Sequence, residues 1–253
     1  IREILIEKVS EGVEVRFMYD GMCAISMLPY NYPSQLRKYG IQCKMSNPMK
    51  PFLSTTQNNR DHRKICVIDG KVGFTGGINL GDEYINRKVR FGHWKDTAVM
   101  LKGDAVQSFT MMFLQMWNTS INKVKEDNYD KYINSASDGD FIEGDGYIIP
   151  FADSPLKKDR FGETMYINNL NLAKDYVHIM TPYLVLGTNM MQALKFAAKR
   201  GVDVKIILPH IPDKPYAFWL AGTYYRELLD SGVKIYEYTP GFVHSKMSIS
   251  DDK

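Results

Sequence analysis

The sequence predicts an α/β fold built from two similar halves. A helical pattern in residues 1–12 is followed by Gly12 and the strand-like stretch VEVRFMYD, and the same succession recurs in MQALKFAAKRGVDVKIILP at 191–209, where Gly201 corresponds to Gly12. Apolar residues at helical spacing predict the helices, and a glycine is typical of a helix end. Because helices and strands alternate in both copies, we expect parallel or mixed strands packed against helices.

A second pair of segments supports the duplication. LRKYGIQCKMSNP at 36–48 resembles LLDSGVKIYEYTP at 228–240. Segments that recur in the same order, far apart in the chain, indicate a duplicated half rather than a short-period solenoid. The second copy begins with an additional strand-like segment, DYVHIMTPYLV at 175–185. We expect a matching strand upstream of Ile1, and therefore a chain that is truncated at its N-terminus.

The domain boundary is predicted in a polar stretch. We assign residues 1–120 to the first half, 121–140 to a linker and 141–253 to the second half, because 118–140 are rich in charged residues, Asn and Ser. Near the end of the first half, GDAVQSFTMMFLQMWN (103–118) has a wide apolar face. We interpret it as a core helix, since Met and Phe at helical spacing are typical of a packed interior.

Composition limits the functional classes. The chain has 253 residues with 44% hydrophobic and 24% charged residues and a net charge of +3, which is typical of a globular protein. The weak positive charge suits an anionic substrate or surface but not a dedicated nucleic-acid binder. Three cysteines without a C-x-x-C pair predict neither a disulfide framework nor a zinc site, and Cys66 is expected in the core. No apolar run is long enough to span a bilayer.

One motif occurs in both copies. The pattern H-x-K-x-x-x-x-D is formed by His62, Lys64 and Asp69, and again by His244, Lys246 and Asp251. The H-x-K spacing alone carries little information. His93 and Lys95 also have it, but Met100 stands where the motif needs an aspartate. Because two complete matches occur at corresponding places of a repeat, we favour a functional role for the residues of both motifs.

The spacing suggests a division of labour. If the motif lies on a strand, its histidine and lysine point to the same side, because residues i and i+2 share a face. Ile65–Ile68 and Met247–Ser250 would continue the two strands. Asp69 and Asp251 have the opposite parity and follow the strands, so we expect them to support a turn or a nearby lysine within the catalytic motif.

The surrounding residues suit a phosphodiester. Gly76 and Gly77 would allow a close backbone approach, and Asn79 offers an amide donor. Two lysines and an asparagine could neutralise phosphate oxygens without a metal ion or another cofactor. One histidine can attack phosphorus while the other, protonated, supplies a proton to the leaving alcohol, and the second histidine then deprotonates the incoming hydroxyl. That scheme needs two histidines.

At these residues the chain resembles the phospholipase D superfamily, whose signature is a duplicated HKD motif, and within it the bacterial cardiolipin synthases. The flanking segments DHRKICVIDGKVGFTGGINLGDEYI, GHWKDTAVMLKGDAV, TPYLV, AAKRGVDVKIILPHIPDK and GVKIYEYTPGFVHSKM extend the resemblance over nearly the whole chain. The resemblance implies two pseudo-symmetric α/β/α halves that share a central cleft where both motifs meet.

The resemblance also implies an activity and roles. It implies transfer of a phosphatidyl group between two phosphatidylglycerol molecules, giving cardiolipin and glycerol, at the cytoplasmic face of a bacterial membrane. His62 would be the nucleophile, His244 the general acid and base, and Lys64, Lys246 and Asn79 the phosphate-binding residues. An acid downstream of the first motif would orient His62. We expect this acid to be Asp96 rather than Asp82 or Glu83.

The sequence departs from the family pattern at its C-terminus. After the second motif the family continues with a G-[ST]-x-N segment and a further acid, whereas this sequence ends at Lys253. We therefore expect a chain truncated at both ends, without a membrane anchor and without a carboxylate that orients His244. Such a chain could have reduced activity.

Three functions follow from these observations. The first is a phosphatidyltransferase acting on phosphatidylglycerol and other anionic phospholipids at a membrane surface. The second is a hydrolase with the same motif chemistry, either a lipase or a nuclease. A nuclease should have a basic groove with stacked aromatic residues, which the modest net charge disfavours. The third is a phospholipid-binding module without turnover.

Overall fold

A computed structural model describes residues 1–23, 27–48, 60–119, 129–133, 146–154 and 159–252. The chain divides into two compact units, which do not follow the sequence halves because most strands of the first half belong to the second unit. The first unit comprises Ile1–Arg63, Asp69–Lys71 and Gly103–Phe141, and the second comprises Lys64–Ile68, Val72–Lys102 and Ile142–Lys253.

The first unit is built on two parallel strands. Strand β1 pairs with β2, and helix α2 forms the crossover between them. Leu36, Ile41 and Cys43 form its buried cluster, against which Leu5 and Val9 of helix α1 pack. The described elements of this unit are α1 (Arg2–Ser10), β1 (Arg16–Asp20), α2 (Tyr32–Arg37), β2 (Gln42–Ser46), α3 (Ala105–Thr119) and α4 (Asp130–Ile133).

The described residues of the second unit form three sheets. Their elements are β3 (Ile65–Ile68), β4 (Val72–Gly76), β5 (His93–Lys95), β6 (Ala98–Lys102), α5 (Phe161–Leu172), β7 (Tyr176–Met180), α6 (Thr188–Lys199), β8 (Asp203–Pro209), α7 (Pro215–Leu229), β9 (Lys234–Tyr238), β10 (Gly241–Val243) and β11 (Met247–Ser250). The largest sheet has the order β11-β7-β8-β9, in which only β11 is antiparallel to its neighbour. Strands β3, β4 and β6 form an antiparallel sheet, and β5 pairs with β10 in parallel.

The core of the second unit lies between the parallel strands and their crossover helices. Val204 and Ile206 of β8 are fully buried, and Leu194 of α6 and Leu228 of α7 pack in the same cluster. Burying large aliphatic side chains of this kind stabilises a fold by about 1.5–3 kcal/mol each. The core therefore fixes β8 and its neighbours as the frame on which the loops at the strand ends are held.

The α/β prediction is confirmed, and glycines mark the repeat. Gly12 and Gly201 follow helices with φ angles of 89° and 95°, and Gly40 and Gly232 do so with 82° and 95°. These left-handed values favour glycine at a helix C-terminus. The core helix at 103–118 is confirmed by α3, and the additional strand at 175–185 by β7.

Three expectations require comment. The H-x-K residues do not lie on strands: 60–64 and 244–246 have no regular structure, and β3 and β11 begin just after them. Cys66 is exposed rather than buried, because it lies on the outward side of β3 at the edge of its sheet. Much of the expected linker, 121–140, lies outside the described residues.

None of the helices in the described part of the chain is both long enough and apolar enough to cross a lipid bilayer.

Candidate active site

A short parallel strand pair positions the second motif. Strand β10 is buried throughout, and Gly241, Phe242 and Val243 lie beside His93, Trp94 and Lys95 of β5. The next residue, His244, continues this register by donating its backbone N–H to the carbonyl oxygen of Lys95 at 2.8 Å. The residues that follow each strand, Asp96 and His244, are therefore brought side by side.

Strand β5 is itself held on its other side. The side-chain amide of Asn86 bonds both backbone groups of Trp94, with its oxygen 2.7 Å from the Trp94 nitrogen and its nitrogen 3.0 Å from the Trp94 oxygen. Asn86 adopts a left-handed φ of 57°, which asparagine tolerates better than most residues. A loop residue thus fixes the strand that leads to Asp96.

Asp96 and His244 form the central contact of the site. The carboxylate oxygen Oδ2 of Asp96 lies 2.8 Å from Nδ1 of His244, and the two side chains are only 1% and 9% exposed. A carboxylate can only accept a hydrogen bond, so Nδ1 carries the proton and Nε2 is left for chemistry. The other oxygen, Oδ1, accepts the backbone N–H of Thr97 at 2.8 Å, which fixes the carboxylate plane.

Aromatic rings enclose the imidazole. Tyr84 stands edge-on to His244 with 5.3 Å between ring centroids, and Trp94 lies 5.5 Å away. The amide of Asn79 donates to the Tyr84 hydroxyl at 2.5 Å. Burial raises the pKa of the Tyr84 phenol, so that group stays protonated at neutral pH. Asn79 therefore contacts Tyr84, and Tyr84 in turn packs against the His244 imidazole. The sequence analysis did not identify this tyrosine.

The glycine pair is required by close packing. Gly77 donates its N–H to the Thr97 carbonyl at 3.0 Å, and a Cβ at this position would overlap the Asp96 carboxylate and lie 2.9 Å from the His244 carbonyl oxygen. A Cβ at Gly76 would collide with the backbone of Thr97 and Ala98. The two glycines thus allow the chain to pass against the aspartate–histidine pair.

The two motif lysines influence each other. Lys246 donates from Nζ to the His244 carbonyl oxygen at 2.6 Å. Partial removal from water lowers the pKa of Lys246 to about 8; the Asp96 carboxylate opposes this shift and the positive charge of Lys64 adds to it. Residues from both motifs therefore act on one another, and an anion that bound near both ammonium groups would relieve their repulsion.

The motif aspartates adopt the same backbone conformation. Asp69 has a φ of 54° and Asp251 a φ of 49°, so both residues follow their strands in the left-handed region. The Asp251 carboxylate accepts the backbone N–H groups of Lys174, Asp175 and Tyr176 at 2.8, 3.0 and 2.9 Å. It braces the start of β7 against the end of β11. The geometry assigns Asp251 a structural role.

The expected partner of Asp96 was wrong. We expected Asp96 to orient His62 and His244 to lack a carboxylate, but Asp96 binds His244, because the β5–β10 pairing places them together. Asp82 is exposed, and Glu83 approaches Arg90 at 3.5 Å. His62 is exposed and belongs to the first unit, whereas His244 belongs to the second. Convergence of the two histidines stays a prediction.

A polar cluster near Lys246 was also missed. The Tyr183 hydroxyl lies 2.9 and 2.8 Å from the two carboxylate oxygens of Asp213, and Lys214 bonds both of these residues. The charges of Asp213 and Lys214 act on the pKa of Lys246 in opposite directions. The segments TPYLV and ILPHIPDK contain these residues, but their separation in sequence gives no signal that they meet.

Metal ligands do not cluster in the described ranges: no group of three or more His, Cys, Asp or Glu side chains there could hold a metal ion.

A PLD-like family model covers most of the chain, so the protein is a member of the phospholipase D superfamily. More narrowly, the chain belongs to the family described as "Cardiolipin synthase, PLD-like domain", whose model matches residues 1–117 and 166–253.

Individual proteins support this assignment. The chain is 58% identical over 252 residues to an uncharacterised protein of Streptococcus mutans serotype c, a match that covers 100% of this chain and 54% of that protein. It is 39% identical over 257 residues to a cardiolipin synthase of Alkalihalophilus pseudofirmus, covering 99% and 49%. The chain thus spans about half the length of these curated relatives.

A solved structure shows the same fold. Phosphatidylserine synthase of Haemophilus influenzae aligns with a TM-score of 0.56 and 13% identity, over 100% of this chain and 68% of that structure. At this identity the likeness concerns the fold alone.

Proposed function

We propose that the protein is a phosphatidyltransferase that converts two phosphatidylglycerol molecules into cardiolipin and glycerol. Its relatives named cardiolipin synthase support the substrate class. The observation that carries the proposal is the buried Asp96–His244 pair, 2.8 Å apart, because it equips one motif histidine for proton transfer. Both substrates are bilayer lipids, so we place the reaction at the surface of the bacterial cytoplasmic membrane.

In the first half-reaction, Nε2 of His62 attacks the phosphorus of one phosphatidylglycerol. A phosphorus–nitrogen bond forms, and the bond from phosphorus to the headgroup glycerol oxygen breaks. His244, protonated on both nitrogens, passes its Nε2 proton to that oxygen, so glycerol leaves as a neutral alcohol. The Asp96 carboxylate stabilises the imidazolium before transfer and retains the Nδ1 proton afterwards.

In the second half-reaction, the headgroup hydroxyl of another phosphatidylglycerol attacks the phosphohistidine. The now neutral Nε2 of His244 accepts the hydroxyl proton, the phosphorus–nitrogen bond breaks, and cardiolipin forms. His62 returns to its neutral state and His244 to its protonated state. The same Asp96 contact therefore serves a general acid and then a general base.

The lysines supply the electrostatic part of the proposal. The charged Lys64 and the partly desolvated Lys246 interact, and a phosphodiester anion would be stabilised by both ammonium groups. As the reaction proceeds, charge builds on the non-bridging oxygens of phosphorus, and preorganised cations stabilise that charge most. Asn79 would contribute through its contact with Tyr84 or by turning its amide towards the phosphate.

The test is product analysis of the full-length protein with radiolabelled phosphatidylglycerol. Cardiolipin and glycerol in equal amounts are expected. Phosphatidic acid as the main product would replace the transferase with a hydrolase of the same chemistry. Unchanged lipid, with the protein still bound to it, would leave only a phospholipid-binding module. The His244→Asn variant is the matched negative control for every product.

A further inference from the structure

The first turns of helix α7 present an unusual outer face. The eleven residues 215–225 include no charged side chain. Within them Tyr216 is 67% exposed, Trp219 71% and Leu220 39%. The opposite face of the helix buries Ala217, Ala221 and Leu228 in the core of the second unit. Because this packing anchors the other face of the helix, the side chains of Tyr216, Trp219 and Leu220 point outward.

These three residues form one stripe, which we call the α7 stripe. Residues three and four apart are neighbours on a helix surface, so Tyr216 adjoins Trp219 and Leu220. Among the three tryptophans, Trp94 and Trp117 are only 6% and 4% exposed. Leaving a tryptophan largely exposed in water is costly relative to burying it, which indicates that this side chain is kept for a contact.

The α7 stripe itself is uncharged and lies between two cations. Lys214 precedes the helix, Arg226 lies two turns beyond Trp219 on the same face with its side chain 93% exposed, and no acidic residue occurs between them. Each cation has a carboxylate nearby: Asp213, whose side chain is only 17% exposed, bonds Lys214 at 2.7 Å, and Asp230 lies 4.0 Å from the largely exposed Arg226. The stripe between them carries no negative charge that would repel an anionic surface. Tyrosine and tryptophan, with an apolar body and a polar edge, are enriched where a hydrocarbon layer meets water.

The stripe is continuous with the candidate active site. Lys214 bonds Asp213 at 2.7 Å and stacks over the Tyr183 ring at 4.6 Å, and both charges act on the pKa of Lys246. The residues that begin α7 therefore belong to the surroundings of the motif lysine. A surface contacted by the stripe would lie beside the place where a lipid phosphate is expected to bind.

We propose that the α7 stripe is a docking surface for an anionic phospholipid bilayer, with Trp219 inserted at the interface and the exposed Arg226 on the lipid phosphates. The inference rests on the proposed function for its choice of occupant. It adds which face of the molecule meets the membrane, so that the headgroup reaches the motif residues while the acyl chains remain in the bilayer.

Fluorescence quenching in the full-length protein tests this docking surface without any turnover. Vesicles of phosphatidylcholine and phosphatidylglycerol carry bromine on their acyl chains, and the signal of the Trp219→Phe variant is subtracted from that of the wild type. The difference isolates residue 219 from every other tryptophan. We expect most of this emission to be quenched with phosphatidylglycerol present, and far less with phosphatidylcholine alone.

A matched pair of charge substitutions locates the contact. Leu220→Asp places a carboxylate within the α7 stripe, and Phe196→Asp places one at an apolar position of α6 that is 57% exposed. Leu220→Asp should weaken the vesicle-dependent quenching about tenfold, the loss expected when one large apolar contact is replaced. Phe196→Asp should leave it unchanged. Thermal unfolding of both variants verifies that each is folded.

Two results would overturn the docking proposal. One is emission from residue 219 that is insensitive to brominated anionic vesicles. The other is emission from residue 219 that depends on protein concentration rather than on vesicles. If Leu220→Asp abolished both this dependence and self-association, the stripe would be a contact between two copies of the chain. Quenching that persists in His244→Asn, together with absence of cardiolipin synthesis by the wild type, would instead refute the proposed reaction and retain the docking surface.

Discussion

The Nδ1 atom of His244 lies 2.8 Å from the Oδ2 atom of Asp96, although 147 residues of chain separate the two positions along the sequence. The contact is produced by the parallel pairing of β5 with β10, whose last residues immediately precede the pair. Enclosure by Tyr84 and Trp94 keeps water from competing for the hydrogen bond. Local strand register thus creates a proton-transfer group from two remote segments.

Asp96→Asn should reduce transfer strongly while leaving substrate binding nearly intact. An amide can present its nitrogen to Nδ1, which favours the wrong tautomer and no longer stabilises the imidazolium. We expect kcat to fall about a hundredfold or more with KM changed little. Steady-state kinetics across pH measures both. Asp82→Asn, which changes an exposed carboxylate between β4 and β5, is the control and should behave as wild type. An equal loss in that variant would contradict the role of Asp96.

Gly77→Ala should disturb the same pair from its other side. The added Cβ would overlap the Asp96 carboxylate, so that side chain or the 76–77 backbone must move. A displacement of this size near reacting groups can cost on the order of a hundredfold in rate. Gly146→Ala, at a position with open space around the new methyl group, serves as the control. Unaltered kcat in Gly77→Ala would show that the close packing is not needed for activity.

Much of the fold can be predicted from the sequence because its signals are local. Gly12 and Gly201 follow helices, as the sequence predicts, and the structure adds that they and Gly40 and Gly232 adopt left-handed φ angles. Hydrophobic patterns locate β7, β8 and α3 to within a few residues. These features depend on neighbours in the chain, and the same physical preferences act in both copies.

The site is less predictable because it depends on tertiary pairing. Nothing near Asp96 in the sequence indicates which histidine it contacts; the β5–β10 register decides this. The interpretation of H-x-K as part of a strand was wrong because β3 and β11 begin only at Ile65 and Met247. Tyr84 and Asp213 acquire their roles through packing, and their own sequence contexts carry no motif.

Asp251→Ala should affect stability more than chemistry. Its carboxylate accepts three backbone N–H groups at the start of β7, and removing it leaves them to water. We expect the free energy of unfolding to fall by about 1–3 kcal/mol, with kcat of the folded protein within a few-fold of wild type. Chemical denaturation and kinetics measure the two effects. Asp230→Ala, an exposed carboxylate after α7, is the control. Lost kcat at full stability would make Asp251 part of the chemistry.

The two motif histidines should separate in a trapping experiment. With labelled phosphatidylglycerol and a rapid quench, His62→Ala should give no acid-labile phosphoenzyme, because it removes the nucleophile. For His244→Asn the substrate is a labelled phosphatidyl ester with a good leaving group in place of glycerol, because the variant has no general acid. This variant should then leave label on His62, since the second step still lacks its general base. Mass spectrometry identifies the labelled residue. Label on His244 in the His62 variant would reverse the assignment and with it the role of Asp96.

The pH dependence should report Lys246. Its pKa of about 8 in the free protein means that the ammonium is charged below that pH and loses its charge as pH rises through it. Attraction for the substrate phosphate is therefore fully present below about pH 8 and declines above it, so the KM for phosphatidylglycerol should rise on the alkaline side. Lys246→Arg keeps its charge at high pH and should remove this rise, although the changed geometry lowers kcat.

Lys199→Arg on α6 is the control and should leave the KM profile unchanged. If Lys246→Arg retains the wild-type alkaline rise, another group titrates, and the coupling of the two motif lysines is not what holds the phosphate.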